Sequence, residues 1–398
     1  NKKVIIFGFI FTFFSSFGQS FFLGLFNPSI RNELNISHGQ FGTIYALATI
    51  CSSFLLIWVG KKIDEYKLVN YSFLVIILLF LSTLFFSFIS NIYFLAIGIF
   101  LMRFSGQGLM SHTASTAISR YFEKSRGKSL STSLLGLSFA EFLLPVLIIY
   151  LLTNFSWRLV WQGMSILSII FLPILIFYTI RKINFNSREE NLFNKSKIKI
   201  KDWNRKEVLK DYRFYIISLN MLAMPWIFTG VAVYQSFIAD SKLWDAYTIP
   251  KAFMIYSITS IITLFFSGFL IDKFTSRKLI SFMNLPLLLS MLVLFSMTSS
   301  FSAYLFLALV GISNGLSNVL GTSTWAEIYG VKFIGSIKAL TTAFMVFSTA
   351  LGTAIFGALI DLGVNIQGIS LIAGIYIVLS LLLLLIFKKK IEPIYLKE

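Results

Sequence analysis

The chain is expected to fold as an all-α integral membrane protein whose twelve spanning helices form two parallel six-helix repeats. Three observations predict this. Of its 398 residues 57% are apolar and 13% charged, too apolar for a water-soluble protein of this length. Apolar runs of the roughly 20 residues that cross a bilayer recur along the whole chain with short polar breaks between them. Four residues in equivalent loops repeat at one fixed offset, the mark of an internal duplication.

The runs place helices 1 to 12 near 4–27, 41–59, 68–90, 92–118, 129–152, 158–180, 214–238, 251–271, 279–298, 302–326, 335–359 and 366–387. Lys2 and Lys3 before the first run imitate a secretory leader, but the run is too long and no small-residue cleavage site follows, so it is read as helix 1. The longest hydrophilic break, 181–213, separates six spans from six. Residues 1–180 are therefore one half, 181–213 a cytoplasmic linker and 214–398 the other half.

The formal net charge is +17, yet its distribution argues against nucleic acid as a partner. With the N-terminus in the cytoplasm, 29 of the 34 Lys and Arg fall in cytoplasmic segments; Arg31, Arg158, Lys242 and Lys251 are external and Arg103 lies in the membrane. This is the positive-inside bias, which places both termini in the cytoplasm and makes anionic lipid the partner of the basic loops. Cys51 is the only cysteine, so there is no internal disulfide and no cysteine metal cluster. Two well-separated histidines and one cysteine supply no nucleophile and base at membrane depth, and no Gly-rich nucleotide loop occurs. Neither an enzyme nor an ATP-driven pump is expected, and no cofactor.

The repeat is carried by Gly60 and Asp64 in "GKKIDEYK" against Gly268 and Asp272 in "GFLIDKFTSRK", and by Tyr121 and Gly127 against Tyr329 and Gly335, all 208 residues apart. With an even number of spans per half, the repeats are parallel. These loops, the twelve spans and the mid-chain break resemble the major facilitator superfamily of transporters. Its loop signature, Gly-x-x-x-Asp-Arg/Lys-x-Gly-Arg/Lys-Arg/Lys, is fitted in part by Gly268, Asp272, Lys273, Arg277 and Lys278, with Thr275 at the second glycine; the first copy departs from it further, with Glu65 where a base is usual and the following glycine missing. "LMRFSGQG" resembles the superfamily's Arg-x-x-x-Gln-Gly element of helix 4, and "LLGLSFAEFLLP" is a loose version of its helix 5 element. "HGQFGTIYALATI", "STWAEIYG" and "LIDLGV" look most like the oxalate and monocarboxylate transporter branch. That branch carries cationic residues in helices 8 and 11. Here helix 8 has no base and Lys338 lies at the cytoplasmic end of helix 11, so the second anionic group of a dicarboxylate would lack a partner.

Arg103 on helix 4 and Glu141 on helix 5 are the two full charges expected near the bilayer midplane. Each costs about 2.5–3.5 kcal/mol to insert there, so neither should face lipid. Two readings stand side by side. In one, Arg103 binds the anionic group of a substrate and Glu141 pairs with it or takes a proton; a guanidinium fork matches a carboxylate bidentately. In the other, the two form a permanent ion pair between helices.

The resemblance implies that helices 1, 4, 7 and 10 line a central cavity. Along with Arg103, the substrate-binding candidates there are Gln19, Gln107, Asn220, Trp226, Tyr234, Asn314 and Asn318. The position 208 after Arg103 is Gly311, so the second half offers no matching charge. Pro225 is expected to interrupt helix 7. Amides and hydroxyls also serve as hydrogen bonds between helices, so each has a structural reading too. His112, two turns from Arg103, joins Glu141 as a proton-coupling candidate. Asp64, Asp272, Arg126 and Glu327 resemble the superfamily's cytoplasmic gate.

The expected activity is secondary transport of a small, monocarboxylate-like organic anion by alternating access, with or without a co-transported proton, by a monomer in a bacterial inner membrane. A multidrug/proton antiporter and a non-transporting receptor are the alternatives. The Phe-, Ile-, Lys- and Asn-rich composition points to an AT-rich bacterial genome.

Overall fold

A computed structural model of the chain describes residues 2–122, 126–181, 201–330 and 332–394. Within them are twelve helices long and apolar enough to cross a membrane. Helices 1 to 6 are Lys2–Leu34, His38–Lys61, Leu68–Phe86, Ile92–Tyr121, Ser129–Asn154 and Trp157–Thr179. Helices 7 to 12 are Tyr212–Val233, Thr248–Ile271, Ser276–Ser296, Ser300–Tyr329, Ser336–Asp361 and Ile366–Ile386. Their outer surfaces carry large exposed apolar side chains such as Phe54, Trp58, Phe265, Phe269, Leu379 and Ile386. A helix satisfies its own backbone, so such a surface suits lipid.

Packing divides the chain into two compact units: Asn1–Arg188 with Val231–Asp240 and Thr353–Leu362, and Glu189–Gly230 with Ser241–Gly352 and Gly363–Glu398. In the first, helix 1 packs chiefly on helix 5, helix 2 on helix 4, and helix 3 on helix 6. In the second, helix 8 packs on helix 10 and helix 9 on helix 12. The 2–4 and 3–6 pairings thus recur six helices later, as a parallel duplication requires.

Local sequence explains the helix ends. Ser37 caps helix 2 by accepting from the Gln40 amide while the Gln40 side chain accepts from the Ser37 amide, a closed capping box. Asn91 and Ser156 cap helices 4 and 6. Helix 1 ends at Asn35 in the left-handed region (φ 51°), where asparagine is among the few residues that sit at little cost.

Two spans depart from regular α-helix where they meet. Helix 1 tightens to a 3-10 turn over Ser16–Gly18 and passes through extended backbone at Gln19 before resuming at Ser20. Opposite it, helix 4 widens to a π-helix over Arg103–Met110. Gly18 and Gly106 let the two backbones touch: a Cβ on Gly106 would lie 2.6 Å from the Gly18 amide nitrogen. Broken turns of this kind free backbone groups at membrane depth, and they are tolerated only where neighbours satisfy them.

Candidate functional site

Arg103 opens the π-helix and points at the break in helix 1. It is 3% exposed. Its Nη1 donates to the Gly18 carbonyl at 3.1 Å and to Ser20 Oγ at 3.4 Å. The guanidinium carbon lies 5.3 Å from the centroid of the Tyr45 ring, and the Tyr45 hydroxyl donates to the same Ser20 Oγ at 3.0 Å. The Nε of Arg103 is buried without an acceptor. Among the described residues no carboxylate pairs with this cation. The helix break exposes a carbonyl, the glycines bring helix 4 close enough to use it, and the aromatic ring takes one face of the charge.

The expected meeting of Arg103 with Glu141 is not formed. Glu141 is buried, 8% exposed, on helix 5, which packs on helix 1. That interface is in register from Thr12 Oγ1, which donates to the Ser133 carbonyl at 2.6 Å, to the 3-10 turn of helix 1. Among the described residues Glu141 makes no hydrogen bond and no ion pair, so it does not neutralise Arg103. Gln19 at the break and Gln107 within the π-helix are half-buried and without side-chain hydrogen bonds among the described residues.

His112 lies two residues beyond the π-helix. Its Nε2 contacts the Gly60 carbonyl at 3.0 Å, in the last turn of helix 2. Gly60, Lys61 and Ile63 line a cavity of about 510 Å³ with His112 and Thr116. His112 therefore ties helix 4 to the start of the first loop signature, and Glu141 is not among its partners.

In the second unit helix 7 is interrupted at Leu222, between Tyr212–Met221 and Ala223–Val233. The proline at 225 removes one donor, and three side chains donate to carbonyls around the break. Tyr376 of helix 12 donates to Leu219 O at 2.7 Å, Asn284 of helix 9 to Asn220 O at 2.6 Å, and Ser348 of helix 11 to Leu222 O at 3.0 Å. Asn220 itself is fully buried, with both side-chain amide atoms unpartnered. Trp226, one turn past the break and 9% exposed, packs edge-on against Tyr376 at 5.3 Å.

The helix 10 candidates follow the structural reading. Asn314 donates to Ser260 Oγ of helix 8 at 2.9 Å, and Asn318 is exposed and donates to the Asn314 carbonyl at 3.0 Å. Gly311, the repeat counterpart of Arg103, could hold no side chain: its Cβ would be 2.5 Å from the Tyr256 carbonyl. The missing cation of the second half is thus the consequence of close helix 8–10 packing. Tyr234 belongs to the first unit, and its hydroxyl is consumed by the carbonyls of His38 (2.8 Å) and Thr353 (3.1 Å). It is a clasp between helix ends and has no free hydroxyl to offer a substrate.

Of the gate candidates, Glu327 receives the Ser276 amide (3.0 Å) and hydroxyl and the Arg277 Nε (2.5 Å), capping helix 9 within the second unit. The side chains of Asp64, Asp272 and Arg126 lie outside the described residues.

The sequence profile of the Major Facilitator Superfamily matches residues 8–250 and 216–397, together nearly the whole chain. The chain belongs to the major facilitator superfamily. It is a membrane transporter and not an enzyme. Solved structures agree in fold. A bacterial homologue of the human lysosomal transporter Spinster, inward-facing and occupied, superposes with a TM-score of 0.74 at 13% identity over 98% of this chain and 97% of that one. A mutant of the nucleoside transporter NupG gives 0.70 at 13% identity over 97% and 99%. No curated protein sequence matches.

Tyr45 and Ser20 were not among the expected site residues. Tyr45 sits in a helix 2 run that reads as ordinary core, "GTIYALAT", and only the fold brings it under Arg103. Ser20 was within reach of sequence reasoning, since it follows Gln19 in the same polar interruption of helix 1.

Proposed function

We propose that this transporter is a secondary carrier for a small organic anion with a single carboxylate, working by alternating access and coupled to a proton. The observation that carries the reading is Arg103, a buried guanidinium at membrane depth with no acid partner among the described residues. Its insertion costs about 2.5–3.5 kcal/mol, and a backbone carbonyl, a hydroxyl and a ring face offset only part of an uncompensated charge. A substrate carboxylate supplies the missing anion, and a guanidinium edge takes it bidentately. Glu141, buried and unpaired, is the side chain we assign to the proton. Because it does not neutralise Arg103, the two sites can be filled and emptied together, which is symport. Gln19 and Gln107 are the neutral hydrogen-bonding groups beside the cation.

In the second half Trp226 remains the aromatic candidate for the substrate. Asn220 and the helix 10 asparagines shape the helices around it. The basic loops support cytoplasmic termini and a bacterial inner-membrane location, with 1–180 and 214–398 as the repeating halves and 181–213 as the linker. We take the carrier to act as a monomer in the lipid bilayer.

The test is the thermal stability of the purified carrier against monocarboxylates, dicarboxylates, zwitterions, sugars and cationic drugs. Bound ligand raises apparent stability by mass action. A monocarboxylate should stabilise wild type and leave Arg103→Gln unmoved, and proton-driven uptake of that acid into proteoliposomes should fail in Glu141→Gln. Stabilisation by cations or neutral solutes alone, or an equal response of Arg103→Gln, would overturn the reading.

A further inference from the structure

In the second unit the chain that leaves helix 12 is pinned to the foot of helix 7. Arg213, buried in the first turn of helix 7, donates through Nη1 to the Glu392 carbonyl at 2.6 Å, and its Nε and Nη2 pair with Asp211, each at 2.8 Å. The Tyr329 hydroxyl donates to the same carboxylate at 3.0 Å. Beside them the Lys201 amide donates to the Ile394 carbonyl at 2.8 Å. Releasing the segment after helix 12 would leave a buried guanidinium short of an acceptor, which is costly. The segment is therefore held in place.

The pin sets two basic segments at one end of the same helix pair. Lys210 precedes helix 7, and Lys388, Lys389 and Lys390 form the 3-10 turn that follows helix 12. All four are exposed, and among the described residues none meets a carboxylate. The nearby acids are already engaged: Asp211 by Arg213, Glu207 by Lys201, and Glu327 and Glu392 by Arg277. Away from the lysines both helices turn apolar faces outward. Tyr212, Tyr215 and Leu219 on helix 7 and Leu379, Leu382 and Ile386 on helix 12 share one spacing, i, i+3 and i+7, and all are exposed. The Tyr212 ring meets Phe387 at 5.7 Å, and the Tyr376 hydroxyl reaches the Leu219 carbonyl at 2.7 Å. The two faces thus lie side by side on antiparallel helices.

We propose that this end of the helix 7–helix 12 pair is a binding site for an acidic phospholipid with two phosphates in its head group. The four lysines take the phosphates, and the two apolar faces take the acyl chains. A charged end alone would suit any soluble polyanion, and an apolar face alone any lipid; the two in line select an amphiphile with an anionic head. Four unpaired cations held together call for more charge than one phosphate brings, and basic clusters at the ends of spanning helices are where such head groups bind. Tyr212 and Tyr215 stand where the faces meet the lysines, the boundary that aromatic rings with polar tips prefer. A lipid seated there braces the Tyr212–Met221 segment of helix 7 below the break at Leu222. None of this depends on the substrate, so the proposal stands or falls apart from the organic-anion reading.

The experiment is native mass spectrometry of the full-chain carrier in detergent, titrated with cardiolipin, phosphatidylglycerol or phosphatidylcholine. Wild type should retain cardiolipin most tightly, by about tenfold over phosphatidylcholine. Replacing Lys210, Lys388, Lys389 and Lys390 by Gln should weaken cardiolipin binding by about fivefold for each lysine removed, and replacing the same four by Arg should preserve it. The four side chains are exposed, so the lipid-free melting temperature of the Gln variant should match wild type. Lys61→Gln, Lys62→Gln and Lys67→Gln together, in the first unit, should leave cardiolipin binding unchanged. Inorganic pyrophosphate, which has the charge without the chains, should not displace the lipid. Unchanged cardiolipin affinity in the Gln variant, an equal loss in the first-unit variant, equal retention of phosphatidylglycerol or phosphatidylcholine, or displacement by pyrophosphate would overturn the site.

Discussion

Arg103 and Tyr45 meet as cation and ring, 5.3 Å from guanidinium carbon to ring centroid, and both hydrogen-bond to Ser20 Oγ. The tyrosine thus positions the guanidinium twice, by its face and by its hydroxyl. Tyr45→Phe keeps the face and loses one hydrogen bond, and should cost about 1 kcal/mol of stability. Tyr45→Leu loses the ring face as well, with a further cost of about 1–2 kcal/mol. Thermal unfolding of the two variants separates the contributions. Anion binding should survive the first and weaken in the second; equal binding in both would mean that the ring does not orient Arg103.

The contact of Gly18 with Gly106 predicts a contrast between glycines. Gly106→Ala places a methyl against backbone of helix 1 that has no side chain to move, and should destabilise by about 1–3 kcal/mol. Gly163→Ala meets nothing within 4 Å and should change stability by less than about 0.5 kcal/mol. Melting temperatures of the pair measure this directly, and a tolerated Gly106→Ala would show that the two breaks are not locked together.

Much of the fold was legible because the bilayer demands long apolar runs, and the offset of 208 was carried by residues that stayed in equivalent loops. The helix breaks were legible only in part. Pro225 marked helix 7, but nothing in "SSFGQS" or "RFSGQGLM" distinguishes a 3-10 turn or a π-helix from a flexible α-helix, since both depend on the neighbour across the interface. The site candidates divided by the same logic. Arg103 was found because a charge in lipid is expensive anywhere. Tyr234, Asn314 and Asn318 were named because they are polar at the right depth, and depth does not say whether a neighbouring helix already uses the group. Arg213 escaped notice for the converse reason: at a helix end it reads as solvated, and the carbonyl it holds comes from Glu392, near the far end of the sequence.

The interrupted helix 7 is held by three side chains from three helices, which predicts shared rather than independent costs. Tyr376→Phe and Ser348→Ala should each lose about 0.5–1.5 kcal/mol, the worth of one hydrogen bond. If the break is a single unit, the double variant should differ from the sum by about 0.5 kcal/mol or more. Additive losses in thermal unfolding would instead mean that the carbonyls of Leu219 and Leu222 are satisfied separately.

Glu207 offers a pH-dependent test of how 201–211 is held. Its side chain closes a capping box by accepting from the Asn204 amide at 2.8 Å, and it pairs with Lys201 at 3.1 Å. The backbone hydrogen bond first, and then Lys201, hold its carboxyl below the usual carboxylate range. A group whose pKa is depressed by folding stabilises above its unfolded value and loses that contribution as pH falls through the folded one. The short helix Arg205–Lys210 should therefore loosen on acidification, not on alkalinisation. Hydrogen exchange over 201–211, compared at each pH with Glu207→Gln so that the intrinsic exchange rate cancels, should show protection in wild type at neutral pH that converges on the variant in acid. The pair is exposed, so the difference should also shrink as salt is raised. Protection that is equal in the two proteins at neutral pH would mean that Asn204 and the packing of Val208 hold the helix without the carboxylate.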